Sequence, residues 1–118
     1  MTAIPPKSTC IQAVAGHHLA ISFVTRAELV LWPAANNWGT SRRAALDEHM
    51  ALFLTLYPDE VTCAVWAAVV DQCRRAGQPI QTADAWNAAS ALQWGCPLVT
   101  TDFRDYDAID DLDIAPIR

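Results

Sequence analysis

Apolar positions in this chain fall into short β-rich runs separated by longer stretches with helical spacing. Leu19 to Val24 (LAISFV) is short, apolar and rich in strand formers, and predicts a buried strand. Thr25 then opens a helix running to about Trp32, which Pro33 ends. The Asn and Gly content of Ala34 to Thr40 makes a loop. From Ser41, the positions Leu46, Met50, Phe53, Leu54 and Tyr57 recur at helical spacing and predict one helix closed by Pro58. Asp59 or Glu60 opens the next, with Val61, Val65, Ala68 and Val69 on one stripe. Arg74 and Arg75 in its last turn suit the helix dipole, and Gly77 lies just beyond. A fourth helix runs from about Ala83 to Trp94, capped by Thr82 and stopped by Gly95. Pro97 to Thr101 reads as a second buried strand, Phe103 to Ala108 as a helical turn, and Leu112 to Ile114 as an edge strand. Upstream, Met1 to Thr9 is broken by prolines and reads as irregular, and Cys10 to Ala15 as the end of a helix stopped by Gly16. Short apolar strands alternating with helices predict an α/β layer with a parallel sheet.

Composition narrows this. A chain of 118 residues with 53% hydrophobic and 18% charged residues forms one domain over residues 1–118 and excludes a disordered chain. The five tryptophans add apolar area, and core is the expected place for most of them. A net charge of -5 disfavours nonspecific nucleic-acid coating, which needs basic surface, but leaves room for RNA chemistry in which bound metal supplies the positive charge. Cys10, Cys63, Cys73 and Cys96 have neither CxxC nor zinc-type spacing and read as structural thiols. No run approaches the ~20 apolar residues of a membrane span, and the start has no secretory pattern, so a cytoplasmic protein is expected.

The candidate chemistry is acidic. Open parallel sheets bind ligands beyond the carboxyl ends of their strands. Glu28 follows the strand ending at Val24, Asp102 directly follows the one ending at Thr101, and Asp84 lies in the first turn of a helix. Converging there, they would make a hard oxygen site suited to Mg²⁺ or Mn²⁺. Each has a plainer alternative: Thr25 and Glu28 have capping-box spacing, Asp84 suits a helix dipole, and Asp102 can cap the turn after it. The acidic run Asp105, Asp107, Asp110, Asp111 and Asp113 reads as a solvated face without calcium-loop spacing. Arg42 and Arg43 read as a solvated helix start, with phosphate contact as the alternative.

Three blocks in order carry a family resemblance. Ser22-Phe-Val-Thr25-Arg-Ala-Glu28-Leu29 resembles the SxxTxxEL block of PIN-domain ribonuclease toxins of the VapC type. Asp84-Ala-Trp-Asn-Ala88-Ala89 resembles the block in which an Asp opens an alanine-rich helix. Leu98-Val-Thr100-Thr-Asp102-Phe-Arg-Asp105-Tyr106 resembles the final LVTxDxxDF block, with Tyr in place of the usual Phe. The likeness runs from about Gly16 to the C-terminus. It implies a Rossmann-like parallel sheet and a metal-dependent endoribonuclease, the toxin of a toxin–antitoxin pair, with RNA as substrate, a cognate antitoxin as partner and a homodimer as the usual assembly. It also implies Glu28, Asp84 and Asp102 as catalytic metal-binding acids with Mg²⁺ or Mn²⁺. Asp105 would be an accessory acid, and Ser22 and Thr100 hydroxyls that orient carboxylates or water. The chain departs from the family at its start, where members carry a central strand ending in a first catalytic Asp. No Asp or Glu precedes Glu28. The expectation is therefore a PIN-like sheet without the first strand, acting either as the ribonuclease or as a noncatalytic module that binds antitoxin or itself. An unrelated α/β protein is the remaining alternative.

Overall fold

A computed structural model describes residues 11–14 and 18–116. The chain order is β1 (Ile11–Val14), β2 (His18–Ser22), α1 (Phe23–Ala35), α2 (Thr40–Met50), β3 (Leu54–Leu56), α3 (Glu60–Arg75), α4 (Thr82–Trp94), β4 (Leu98–Thr100), a 3-10 turn (Phe103–Tyr106) and β5 (Ile114–Pro116). The strands form one sheet in the order β3-β2-β1-β4-β5. β2 with β3 and β4 with β5 are parallel, as expected. The centre is not. β1 runs antiparallel to both β2 and β4, so the sheet is mixed.

This corrects two expectations at once. The helix end read at Cys10 to Ala15 is a strand over Ile11–Val14, and the central place in the sheet, expected to be vacant, is filled by it. Ile11 sits level with Ile21 and Val99, so the amino end of β1 lies beside the carboxyl ends of β2 and β4. The hydrogen-bonding demand of β2 and β4 explains why a short, weakly patterned run becomes a strand: a buried unpaired ladder is costly. The irregular stretch read at Met1 to Thr9 lies outside the described residues.

Elsewhere the boundaries move for local reasons. β2 stops at Ser22, whose hydroxyl accepts the Thr25 N–H, so the helix starts at Phe23 and Ser22, not Thr25, is its cap. Pro33 lies within α1 and does not end it. It removes one N–H, but its own carbonyl still accepts from Trp38 at 2.9 Å and the Trp32 carbonyl from Asn36 at 3.0 Å. The long helix expected from Ser41 to Tyr57 is α2 followed by β3: helical spacing of apolar residues continues past Met50, but the edge of β2 recruits Leu54–Leu56 into a parallel ladder. α3 keeps its expected bounds because Asp59 and Thr62 form a capping box at its start. Gly77, at φ +72, follows its end. Its buried stripe is Thr62, Val69 and Cys73, while Val61 is exposed. α4 is capped at Gln81, one residue before Thr82, and ends at Gly95 with φ 63. The edge strand is β5, two residues beyond its expected start.

Two packed cores result. One joins α3, α4, β4 and the 3-10 turn through Val69, Cys73, Ala85, Ala88, Ala91, Leu98, Tyr106 and Ile109. The other joins β2, α1 and α2 through Ile21, Leu29, Trp38, Leu46 and Met50. Cys73 and Cys96 are buried structural thiols with pKa pushed up by burial, whereas Cys63 is exposed. Arg42 stacks on Trp38, and Arg43 donates to the Trp38 carbonyl at 2.9 Å, so this pair ties the α1–α2 connection. Trp38 is core, but Trp94 is largely exposed. No helix among the described residues is long and apolar enough to cross a membrane.

Candidate active site

The carboxyl ends of β2 and β4 deliver the acids to one end of the sheet. Asp102 lies two residues beyond the end of β4, not directly after it, and its N–H bonds to the Thr100 hydroxyl at 3.0 Å, a tight turn that sets the direction in which Asp102 leaves the strand. Asp102 occupies the cap position of the 3-10 turn, but its side chain makes no capping bond. Glu28 lies in the second turn of α1. Because Ser22 supplies that helix's cap, the capping-box reading of Thr25 and Glu28 falls away. Asp84 stands in the first turn of α4, half-buried, and accepts the Tyr106 hydroxyl at 3.3 Å.

Asp84, Asp102 and Asp105 share a cleft of about 560 Å³ with Arg104 and the turn Gln78–Gln81. Glu28 is not in its lining, yet its charge reaches Asp84. Burial pushes the Asp84 carboxyl above its ordinary value of 3.8, and the neighbouring charges of Asp105, Asp102 and Glu28 push it further, against the lowering effect of the Tyr106 hydrogen bond. Asp105 is the strongest of the three charged neighbours. It therefore belongs to the cleft, and the solvated-face reading holds only for the acids beyond it. The four acids are joined through charge at a distance: among the described residues, no three His, Cys, Asp or Glu side chains close into a group able to enclose an ion.

Behind the cleft lies a polar knot that the sequence reading did not single out. Asn87, one turn after Asp84, is fully buried. Its Oδ1 accepts the Ser22 and Thr25 hydroxyls, the latter at 3.2 Å. The Ser22 hydroxyl is thus committed to Asn87 and the helix start, and that of Thr100 meets the Asp102 backbone.

Residues 5–112 match the PIN domain. The chain belongs to the PIN-domain family, in its VapC branch. It is 31% identical to Ribonuclease VapC1 of Haemophilus influenzae over 104 residues, which is 86% of this chain and 75% of that protein. It is also 31% identical to Ribonuclease VapC4 of Mycobacterium tuberculosis over 105 residues, 87% of this chain and 80% of that one. The fold agrees with VapBC-1 from nontypeable Haemophilus influenzae at a TM-score of 0.75 and 29% identity, over 84% of this chain and 74% of that one. The PIN match begins upstream of Gly16 and so takes in β1, wider than the sequence blocks indicate. Within this PIN domain, β1 reads Ile-Gln-Ala-Val and brings no carboxylate to the sheet's centre.

Two further residues escaped the sequence reading. Arg104 is a cation in a cleft whose other charged lining residues are all acidic, and its place between Asp102 and Asp105 was the available signal. For Asn87 the signal was a polar residue inside an alanine-rich helix, three positions after Asp84, where an apolar side chain would suit the packing.

Proposed function

We propose that this PIN domain is the ribonuclease toxin of a toxin–antitoxin pair and hydrolyses RNA phosphodiester bonds with the aid of Mg²⁺ or Mn²⁺. The observation that carries the reading is the meeting of Asp84, Asp102 and Asp105 in one cleft, with Glu28 adding to the negative field at Asp84. The relatives named as ribonucleases supply the substrate class. The donor set fits a hard divalent cation: it is all carboxylate oxygen, and positive charge would offset the neighbouring negative charges that push the Asp84 carboxyl up. Asp84 and Asp102 would hold the cation, with Glu28 and Asp105 balancing its charge. When bound, such an ion lowers the pKa of a water and stabilises charge on the scissile phosphate. Arg104 gives the RNA backbone a cation at the cleft, and Thr100 fixes the backbone from which Asp102 projects.

The antitoxin is the protein partner, since the solved relative is a VapBC assembly. The surface we assign to it is the groove of Phe23, Ala27, Val30, Leu31, Ala34 and Tyr57 with Arg26. An apolar segment carrying an acid for Arg26 fits it. A homodimer and a cytoplasmic setting complete the reading. The test is cleavage of RNA by the purified chain in Mg²⁺, in Mn²⁺ and in EDTA. Cleavage should vanish in EDTA and fall by more than about 100-fold in Asp84→Asn and Asp102→Asn. Full cleavage that survives both treatments overturns the proposal.

One observation favours a second reading, a PIN domain that binds antitoxin without cutting RNA. β1, the strand at the centre of the sheet, reads Ile-Gln-Ala-Val and contains no Asp or Glu. Antitoxin capture with no cleavage in either metal would establish it.

A further inference from the structure

We propose that Asn87 is a positioning residue: its buried amide clamps the start of α1 to α4 and so fixes Glu28 and Asp84 relative to each other. The inference rests on the metal-site reading above. Asn87 follows Asp84 by three positions on α4, and Thr25 precedes Glu28 by three on α1, so each knot residue shares a helix face with its acid. The two helices meet at the edge-on rings of Phe23 and Trp86 and at the knot, where Asn87 Oδ1 takes the hydroxyls of Ser22 and Thr25. The Ser22 oxygen in turn accepts the Thr25 N–H at 3.2 Å, locking the first turn of α1. Ser22, Thr25 and Asn87 are all fully buried.

Packing alone does not call for this residue. Ala85, Ala88 and Ala89 around it are buried and apolar, and an aliphatic side chain would fill the space without needing hydrogen bonds. An amide oxygen has two lone pairs and serves both hydroxyls at once. A carboxylate would also accept both, but it would add a buried negative charge where Asp84 already feels Asp105, Asp102 and Glu28. A neutral acceptor is the side chain that ties the helices without opposing the acids.

The experiment measures Mn²⁺ affinity by electron paramagnetic resonance and RNA cleavage at a temperature well below every variant's melting point. Asn87→Leu removes the acceptor and Thr25→Val removes one donor at nearly constant shape. Thr25→Ser restores that donor, and Val69→Ala is a core control matched for lowered Tm. Asn87→Leu and Thr25→Val should weaken Mn²⁺ binding by about 10-fold and lower kcat with KM little changed. Thr25→Ser should recover both, and Val69→Ala should lose neither. If Asn87→Leu does not fold, the Thr25 pair carries the test alone. Wild-type affinity in Thr25→Val, or an equal loss in Val69→Ala, overturns the inference. A wild-type chain that binds no Mn²⁺ overturns the metal reading first, and the inference with it.

Discussion

Asp84 concentrates the physical tension of the site. Its pKa is raised above 3.8 by burial and by three acidic neighbours, so the folded state holds that proton more firmly than the unfolded chain does. The stability this group contributes is complete below 3.8 and is lost as pH rises through the raised value. At neutral pH without divalent metal, the ionised carboxylate therefore works against the fold. Asp84→Asn should melt a few degrees higher than wild type at pH 7, and the gap should close in thermal melts run below pH 3.8. A variant that is more stable and yet inactive marks a residue kept for chemistry. The acids were legible in the sequence because strand ends and helix starts are where sheets of this kind gather ligands. Asn87 was not, because nothing in its neighbours along the chain reveals that Ser22 and Thr25, more than sixty positions away, will bring it two hydroxyls.

Among the elements, α3 and α4 were read nearly to the residue because their ends carry local signals, the Asp59 cap before α3 and Gly95 after α4. β1 and β3 were missed, since both are strands by virtue of a neighbour's ladder and their own short sequences do not announce it. β4 shows how much such a short strand can carry. Leu98 is fully buried, pairs with both Gln12 and Ile114, and packs against the α3–α4 core. Leu98→Ala should cost about 3 kcal/mol in chemical denaturation, from lost burial and the cavity left behind. On α1, Val30 and Leu31 are 60% and 64% exposed and line the groove assigned to the antitoxin. Val30→Asp with Leu31→Asp should abolish co-purification with the antitoxin while leaving Tm within a degree or two, because neither residue contributes to the core.

As a whole, the molecule carries a net charge of -5 and gathers Asp84, Asp102 and Asp105 in one cleft. Under the proposed function, RNA would meet an unfavourable field that bound divalent cations would offset. Mg²⁺ should raise the melting temperature of wild type in a concentration-dependent way and leave Asp84→Asn nearly unmoved, as binding linkage requires. The mixed sheet gives that linkage a mechanical side. Among the described residues, β1 pairs with β2 at four positions and with β4 at two, which makes the β1–β4 boundary a seam between two leaves. Glu28 hangs from the first leaf and Asp102 from the second, and α4, bearing Asp84, lies across the join in contact with both β2 and β4. Breathing along the seam would pull the acids apart. An ion shared between Asp84 and Asp102, as the proposed function has it, would act as a rivet, and Mg²⁺ should slow hydrogen exchange at the Val99 amide more than at amides within α2.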